Sequence, residues 1–202
     1  VASLEGLVIT AGRAFEGGGI LNEGTFTLIN STVSDNFAEG NGGPRLGGGI
    51  YNADGTLTLK NSTISGNSGS GGGIYNSNGT VTLINCTVSH NSGPGAGIYN
   101  SSGTVTLTNS TVVGNSGLIL SGGIFNSSGT VTLTNSTVSD NNLSFFGGGI
   151  GNGGTLTLTN STVSGNNARS PGGSGGPGGG IYNSGGTLTL TNSTVSGNSA
   201  GD

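Results

Sequence analysis

The chain repeats one twelve-residue block whose length never changes. The last copy, from Thr187 to Asn198, reads TLTLTNSTVSGN, and six earlier copies align with it without insertion or deletion. The isoleucines that precede the copies, from Ile20 to Ile181, are 24 to 31 residues apart, so all length variation falls outside the block. A repeat of this size is typical of a solenoid, because each copy is a small structural unit that buries its apolar side chains only against its neighbours.

Apolar and polar residues alternate within each copy. Leu57 and Leu59 fall on one side of the chain, and Thr56 and Thr58 fall on the other. This period of two indicates strands rich in β-branched residues, and no helical spacing competes with it. Strands this short, without two-residue hairpin turns at both ends, favour coiling in one direction. We therefore predict an all-β parallel β-solenoid of about eight coils, with three short strands per coil around GGIYN, TLTL and STVS, stacked at about 4.8 Å.

Residues 1–202 are predicted to form a single solenoid domain. The segment 1–12, VASLEGLVITAG, is a degenerate first coil. Asparagines recur after two of the strands, as at Asn61 and Asn67, and are expected to mark corners, to adopt left-handed backbone and to pass amide hydrogen bonds from coil to coil. In a sequence without a repeat, 46 glycines would indicate disorder. This sequence has a regular repeat, so we do not predict disorder. The seven clear repeats begin near Gly17, Gly47, Gly71, Gly95, Gly122, Gly147 and Gly178.

The GGGIYN…GTLTLTNSTVSGN coils, cleanest over Gly178–Asn198, resemble the right-handed parallel β-helix repeat proteins that bacteria secrete or carry on their surfaces. The resemblance covers essentially the whole chain and extends loosely to pectate-lyase-like domains. It implies a right-handed coil and an extracellular or cell-surface location, with the signal and anchor outside this segment. It implies no particular activity, because the same fold carries lyases, adhesins, passenger domains and structural fibres.

Composition argues against several classes of partner and site. Four Lys and Arg residues against eight Asp and Glu give a net charge of −4, which argues against nucleic acid, and no apolar run is long enough to insert into a membrane. The carboxylates are dispersed: Asp35 and Asp140 share a repeat position but lie four coils apart. We interpret His90 as a surface substitution and Cys86 as a buried thiol in place of an inward serine. No catalytic residue, metal-ligand set or cofactor is predicted.

A double row of threonines is predicted to point outward from the stacked coils. It forms a grid of hydroxyl and methyl groups that resembles the threonine arrays of β-solenoid ice-binding proteins, so it is a candidate face for ice or another ligand. The alternative is that threonine is simply the polar residue best suited to an exposed strand. The row consists of Thr25, Thr27, Thr56, Thr58, Thr80, Thr82, Thr104, Thr106, Thr130, Thr132, Thr155, Thr157, Thr187 and Thr189.

A second outward row follows the isoleucines and is mostly aromatic. Its members are Tyr51, Tyr75, Tyr99, Phe125 and Tyr182, with Gly151 interrupting it. Exposed ring faces of this kind bind sugar rings or another protein, and the alternative is that the rings stack for stability.

The variable segments between copies are predicted to be loops that project from one edge, where recognition usually occurs. Within them, Leu118–Leu120 and Phe145–Phe146 either cover the core or mark a contact patch. The segments are 37–46, 116–120, 142–146 and 167–177.

The leading functional hypothesis is a non-enzymatic extracellular β-solenoid that acts as a surface adhesin, a spacer or a segment of a fibre. Its partners would be further copies of itself joined end to end, or a glycan or other cell-surface ligand. The alternative is an ice-binding protein that uses the threonine grid. A polysaccharide lyase or hydrolase is the least favoured class, because such enzymes need clustered carboxylates.

Overall fold

A computed structural model describes residues 1–39, 45–143, 147–169 and 176–201. Every strand pair in these residues is parallel, and equivalent residues of successive copies pair with one another. Thr80, for example, lies opposite Thr56 on one side and Thr104 on the other. The predicted all-β parallel solenoid with three strands per coil is therefore confirmed.

The strands stack into three long sheets. The threonine sheet comprises Ala2–Glu5, Thr25–Ile29, Thr56–Lys60, Thr80–Ile84, Thr104–Thr108, Thr130–Thr134, Thr155–Thr159 and Thr187–Thr191. The serine sheet comprises Val8–Thr10, Thr32–Ser34, Thr63–Ser65, Thr87–Ser89, Thr111–Val113, Thr137–Ser139, Thr162–Ser164 and Thr194–Ser196. The tyrosine sheet comprises Ile20–Asn22, Ile50–Asn52, Ile74–Asn76, Ile98–Asn100, Ile124–Asn126, Ile150–Asn152 and Ile181–Asn183.

The coil count is lower than the eight predicted. The chain completes six full turns between Ile20 and Ile181, which lie on the first and last strands of the tyrosine sheet. The degenerate copy at the start contributes strands to the threonine and serine sheets but none to the tyrosine sheet, so counting it as a complete coil was wrong.

The sequence predicted that the variable segments are loops, but parts of them form strands. Ser116–Ser121 is a strand, and the first residues of segments 142–146 and 167–177 join it in a short fourth sheet, because the parallel stack continues to offer each backbone an equivalent neighbour. The prediction for Phe145–Phe146 lies outside the described residues. The fourth-sheet strands are Ser92–Gly95, Ser116–Ser121, Asn142–Leu143, Asn167–Ala168 and Ser199–Ala200, and Arg13–Ala14 pairs separately with Phe37–Ala38.

Each inner coil contributes four stacked apolar side chains to a narrow core. In one coil these are Ile98, Val105, Leu107 and Val112, all fully buried. Burying an aliphatic side chain contributes roughly 1.5–3 kcal/mol, and each of these contacts its counterparts in the coils above and below. The core is therefore shared between coils, as the low apolar content requires.

The two corners use different residues for the left-handed turn. Asn61 and its equivalents have φ near +50°, which confirms the expectation for the first corner. At the second corner the expectation for Asn67 is wrong, because the left-handed residue is the one before it: Gly66 in this coil and His90 in the next. The turn at that residue directs the following asparagine into the coil.

Candidate functional site

The first feature of the interior is a ladder of buried asparagine amides at the second corner, here called the corner ladder. Each Nδ2 donates to the Oδ1 of the asparagine in the next coil at 2.9–3.0 Å, as Asn67 does to Asn91. The same Oδ1 also accepts the backbone N–H of the preceding asparagine at 3.0 Å. Its members are Asn36, Asn67, Asn91, Asn115, Asn141, Asn166 and Asn198.

A second ladder, which the sequence reasoning missed, ends each strand of the tyrosine sheet and is here called the strand ladder. Its Nδ2–Oδ1 distances are 2.6–2.9 Å, and each Nδ2 of the inner coils also contacts the carbonyl oxygen of the glycine before the threonine strand, as Asn76 contacts Gly79. The signal was present, because alternation from the inward Ile74 makes Asn76 inward too. The members are Asn22, Asn52, Asn76, Asn100, Asn126, Asn152 and Asn183.

Small side chains complete the interior where the threonine strand turns into the serine strand. Ser110 and its equivalents before the last coil are buried and accept the backbone N–H of the preceding coil. Cys86 occupies this position in one coil, is 2% exposed and contacts the carbonyl oxygen of Ile84 at 3.3 Å. Burial raises the pKa of the Cys86 thiol, which keeps it protonated. Within the described residues, no buried side-chain nitrogen or oxygen lacks a hydrogen-bond partner.

The structure places the predicted threonine row on the outer surface of the threonine sheet. The first threonine of each pair, such as Thr104, is exposed, and the second, such as Thr106, is half-buried in all but the last coil. A third outward column, also missed, lies two residues further on and is threonine in the last four coils. Those coils therefore carry a grid of three columns and four rows with no charged residue. The third column is Ile29, Lys60, Ile84, Thr108, Thr134, Thr159 and Thr191.

The structure places the aromatic row on the outer surface of the tyrosine sheet, where its rings contact one another. Tyr75 and Tyr99 are stacked with centroids 4.5 Å apart and planes 8° apart. Tyr51 meets Tyr75 edge to face at 5.6 Å, and Phe125 is tilted against Tyr99 at 5.3 Å. Burial raises the pKa of Tyr75, and the ring of Tyr99 beside it adds to the shift. Tyr75 and Tyr99 therefore cover one face of each other, and Phe125 lies at the end of this run of ring contacts.

The row opens at Gly151. The neighbouring rings, Phe125 and Tyr182, flank a cleft of about 270 Å³. Among the described residues its lining consists of Leu120, Phe125, Ser127, Asn152, Gly153, Tyr182 and Ser184, while Gly151 itself is buried.

The charged residues that the structure describes are dispersed over the surface, and Lys60 stands in the third column of the threonine sheet. Arg13 and Glu39 form an exposed ion pair at 3.0 Å, of a kind that contributes at most about 1 kcal/mol. His90 lies at an exposed corner, as interpreted from the sequence. In the described ranges no three His, Cys, Asp or Glu side chains are grouped as a metal site would need, and none of the elements there is a helix able to cross a membrane.

Coiled parallel sheets with inward amide ladders define the class of protein as a parallel β-helix. A family model described as "Right handed beta helix region" matches residues 4–126 and, in an overlapping match, 51–202. The chain belongs to this right-handed β-helix family, which confirms the resemblance drawn from the repeats. Searches of curated proteins and of solved structures gave no match.

Proposed function

We propose that this β-helix is a rigid, non-enzymatic rod that works outside the cell as a spacer, a fibre segment or the stalk of an adhesin. The observation that carries the proposal is the continuity of the two amide ladders through the coils. Each coil is locked in register to the next by side chains as well as by backbone, so the coils bend or slide only by breaking buried hydrogen bonds. Seven strand spacings give the rod a length of about 34 Å.

The contacts of the carboxylates support a non-enzymatic role. Glycosidases use two carboxylates that face one substrate at a separation of about 5–10 Å. Here Glu39 binds Arg13, Glu5 accepts a hydrogen bond from Asn30, and Asp54 accepts one from the next coil. These are partners within the surface of the rod, where single charges keep the chain soluble.

The rod proposal predicts that length follows coil number. Deleting residues 74–97 removes one 24-residue coil and joins Gly73 to Ile98, which restores the GGGIYN motif. Spin labels on Thr10→Cys and Ser196→Cys, with Cys86→Ser, lie at equivalent positions of the first and last serine-sheet strands. Electron–electron resonance should give one narrow distance near 34 Å in the full chain and near 29 Å in the deleted chain.

The matched control is deletion of residues 74–85, which removes half a coil. It places serine-sheet strands against tyrosine-sheet strands and breaks both ladders, so the narrow distance should disappear. A broad distance distribution in the intact chain would contradict the rod.

The location and role are tested in the source organism. Antibody labelling and protease treatment of intact cells are expected to reach the chain at the surface or in the medium. If spacing is the role, the phenotype of a deletion strain should be rescued by an unrelated rigid domain of the same length. Confinement of the chain to the cell interior, or release of new reducing ends from a polysaccharide by the purified chain, would refute the proposal.

Ice binding is the second candidate, favoured by the uncharged threonine grid of the last four coils. Three threonine columns at strand spacing present hydroxyl and methyl groups at regular positions. Such a regular surface orders water by matching hydrogen-bond positions over many sites at once.

This candidate predicts that thermal hysteresis of the purified chain is lost when Thr132 is replaced by tyrosine, because the bulky ring lifts the ice surface from the middle of the grid. Thr106→Tyr should have the same effect. The control is Thr137→Tyr on the serine sheet, which leaves the grid intact and should retain hysteresis. Absence of hysteresis and of recrystallisation inhibition at the highest soluble concentration of the unmodified chain would eliminate the candidate.

A further inference from the structure

The cleft at Gly151 arises because one coil lacks two outward side chains. Its tyrosine-sheet strand and the turn after it read IGNGGT, whereas the coils on either side read IFNSSGT and IYNSGGT. Gly151 pairs in register with Phe125 on one side and Tyr182 on the other. Gly153 occupies the place that serine holds at Ser127 and Ser184. The turn after this strand is also one residue shorter than the equivalent turns of the two neighbouring coils.

The two missing side chains are those that form a hydrogen bond between neighbouring coils elsewhere in the row. In the earlier coils a tyrosine phenol hydrogen-bonds the serine of the next coil, as Tyr51 does with Ser77 and Tyr75 does with Ser101. At the cleft, Phe125 has no hydroxyl and the next coil has Gly153. The regular outer contact is therefore replaced by space bordered by two rings and two serines.

The spacing suits one further flat ring. The backbones of Phe125 and Tyr182 lie two strand spacings apart, about 9.6 Å, with the strand of Gly151 between them. One ring per strand is the arrangement in which Tyr75 and Tyr99 stack at 4.5 Å in the same row. The volume of 270 Å³ is slightly below the roughly 300–1,000 Å³ of sites for drug-sized molecules, which fits a single ring.

The lining determines the chemistry of that ring. The apolar lining residues are Phe125, Tyr182 and Leu120, and none of the lining residues that the structure describes is an acid or a base that is charged at neutral pH. The amide of Asn152 belongs to the strand ladder, where its Nδ2 donates to Asn183 at 2.7 Å. Polar contacts to a ligand would therefore come from the exposed hydroxyls of Ser127 and Ser184 at the rim.

A neutral pyranose matches this combination. The polarised C–H groups on its faces pack on the electron-rich faces of aromatic rings, while its hydroxyls project around the edge towards hydrogen-bonding groups. A purely aromatic ligand would fill the walls but would leave the rim serines without partners. A uronic acid would bring a carboxylate to a cleft whose described lining residues include no Lys, Arg or His.

We propose that the Gly151 cleft binds one uncharged hexose ring of a glycan, held between Phe125 and Tyr182. This activity goes beyond the rod and does not depend on it. Gly151 is not required by backbone conformation, since its φ is not positive, so a side chain can replace the ligand there. A Cβ at Gly151 would lie 3.0 Å from Cδ2 of Phe125, a flexible ring edge that can move aside.

The decisive variant is Gly151→Tyr, which fills the cleft with the residue that the row uses elsewhere. Tyr182→Leu removes one wall, and Tyr51→Leu is the matched control at the far end of the row. Gluco-, manno- and galacto-hexaoses are titrated by saturation-transfer NMR, with oligogalacturonate and indole as the charged and aromatic probes. The fold of each variant is checked by circular dichroism and thermal melting.

We expect at least one neutral hexaose to bind the unmodified chain with a Kd of about 0.1–10 mM. Affinity should fall at least about tenfold in Gly151→Tyr and Tyr182→Leu and persist in Tyr51→Leu. Should Tyr182→Leu not fold, Gly151→Tyr alone decides. The proposal is overturned if no neutral hexaose binds, if binding survives Gly151→Tyr, or if only oligogalacturonate or indole binds.

Discussion

Replacing Asn91 by leucine is expected to lower the free energy of unfolding by about 3–6 kcal/mol, although the two side chains are similar in size. Asn91 is fully buried in the corner ladder. Its Oδ1 accepts both the backbone N–H and the Nδ2 of Asn67, and its own Nδ2 donates to the carbonyl oxygen of Ile64, all at 3.0 Å. Leucine leaves these groups buried without partners, and each costs about 1–3 kcal/mol.

The matched control is Asn85→Gly, six residues earlier in the same coil. Asn85 also contacts the asparagines of both neighbouring coils, at 3.1 and 3.3 Å, but it is exposed and its φ is +53°. Water replaces its hydrogen bonds and glycine accepts its backbone conformation, so we expect a change of about 0.5 kcal/mol or less. Urea unfolding measures both variants. Equal losses would show that the ladder contributes no more than a surface contact.

The repeat made most of the architecture predictable. Alternation in TLTL assigned Leu57 and Leu59 to the core and Thr56 and Thr58 to the surface, and the fixed block length required that equivalent residues stack. Both conclusions follow from local geometry, because side chains in a strand alternate sides and equal blocks return to the same place on each turn. The fourth sheet was not predictable in this way, because Ser116–Ser121 and Asn142–Leu143 share no pattern and pair through their backbones.

The polar interior and the cleft were harder to predict from sequence, for different reasons. The inward direction of Asn76 follows from the period of two, yet a polar residue at the end of a strand is also typical of a turn. Only the stacking of the coils shows that Asn76 donates a hydrogen bond to Asn100. The interruption of the aromatic row at Gly151 was visible in the sequence as a missing ring. Whether it leaves a cleft depends on how far apart the flanking rings and serines lie, which only the structure shows.

Alanine at Gly103 should destabilise the chain by about 3 kcal/mol, the upper part of the range for overpacking. Gly103 precedes a threonine-sheet strand and lies directly over Gly79 of the coil before it. A Cβ there would lie 2.1 Å from the carbonyl oxygen of Gly79 and 2.5 Å from Nδ2 of Asn76. Neither group can withdraw freely, because the first is backbone in a closely stacked turn and the second is held in the strand ladder. The two coils must therefore separate locally, which strains the hydrogen bonds between them.

Gly24 provides the control at the same position of the repeat. A Cβ there would meet no atom within 4 Å, and its φ is not positive, so alanine fits without strain. Gly24→Ala should leave stability unchanged or raise it by up to about 1 kcal/mol, because alanine restricts the unfolded chain. Thermal and urea unfolding of the two variants isolate the effect of coil-to-coil contact, since both carry the same substitution at the same position of the repeat. A small loss for Gly103→Ala, similar to the result at Gly24, would mean that the coils are not stacked as closely as the register requires.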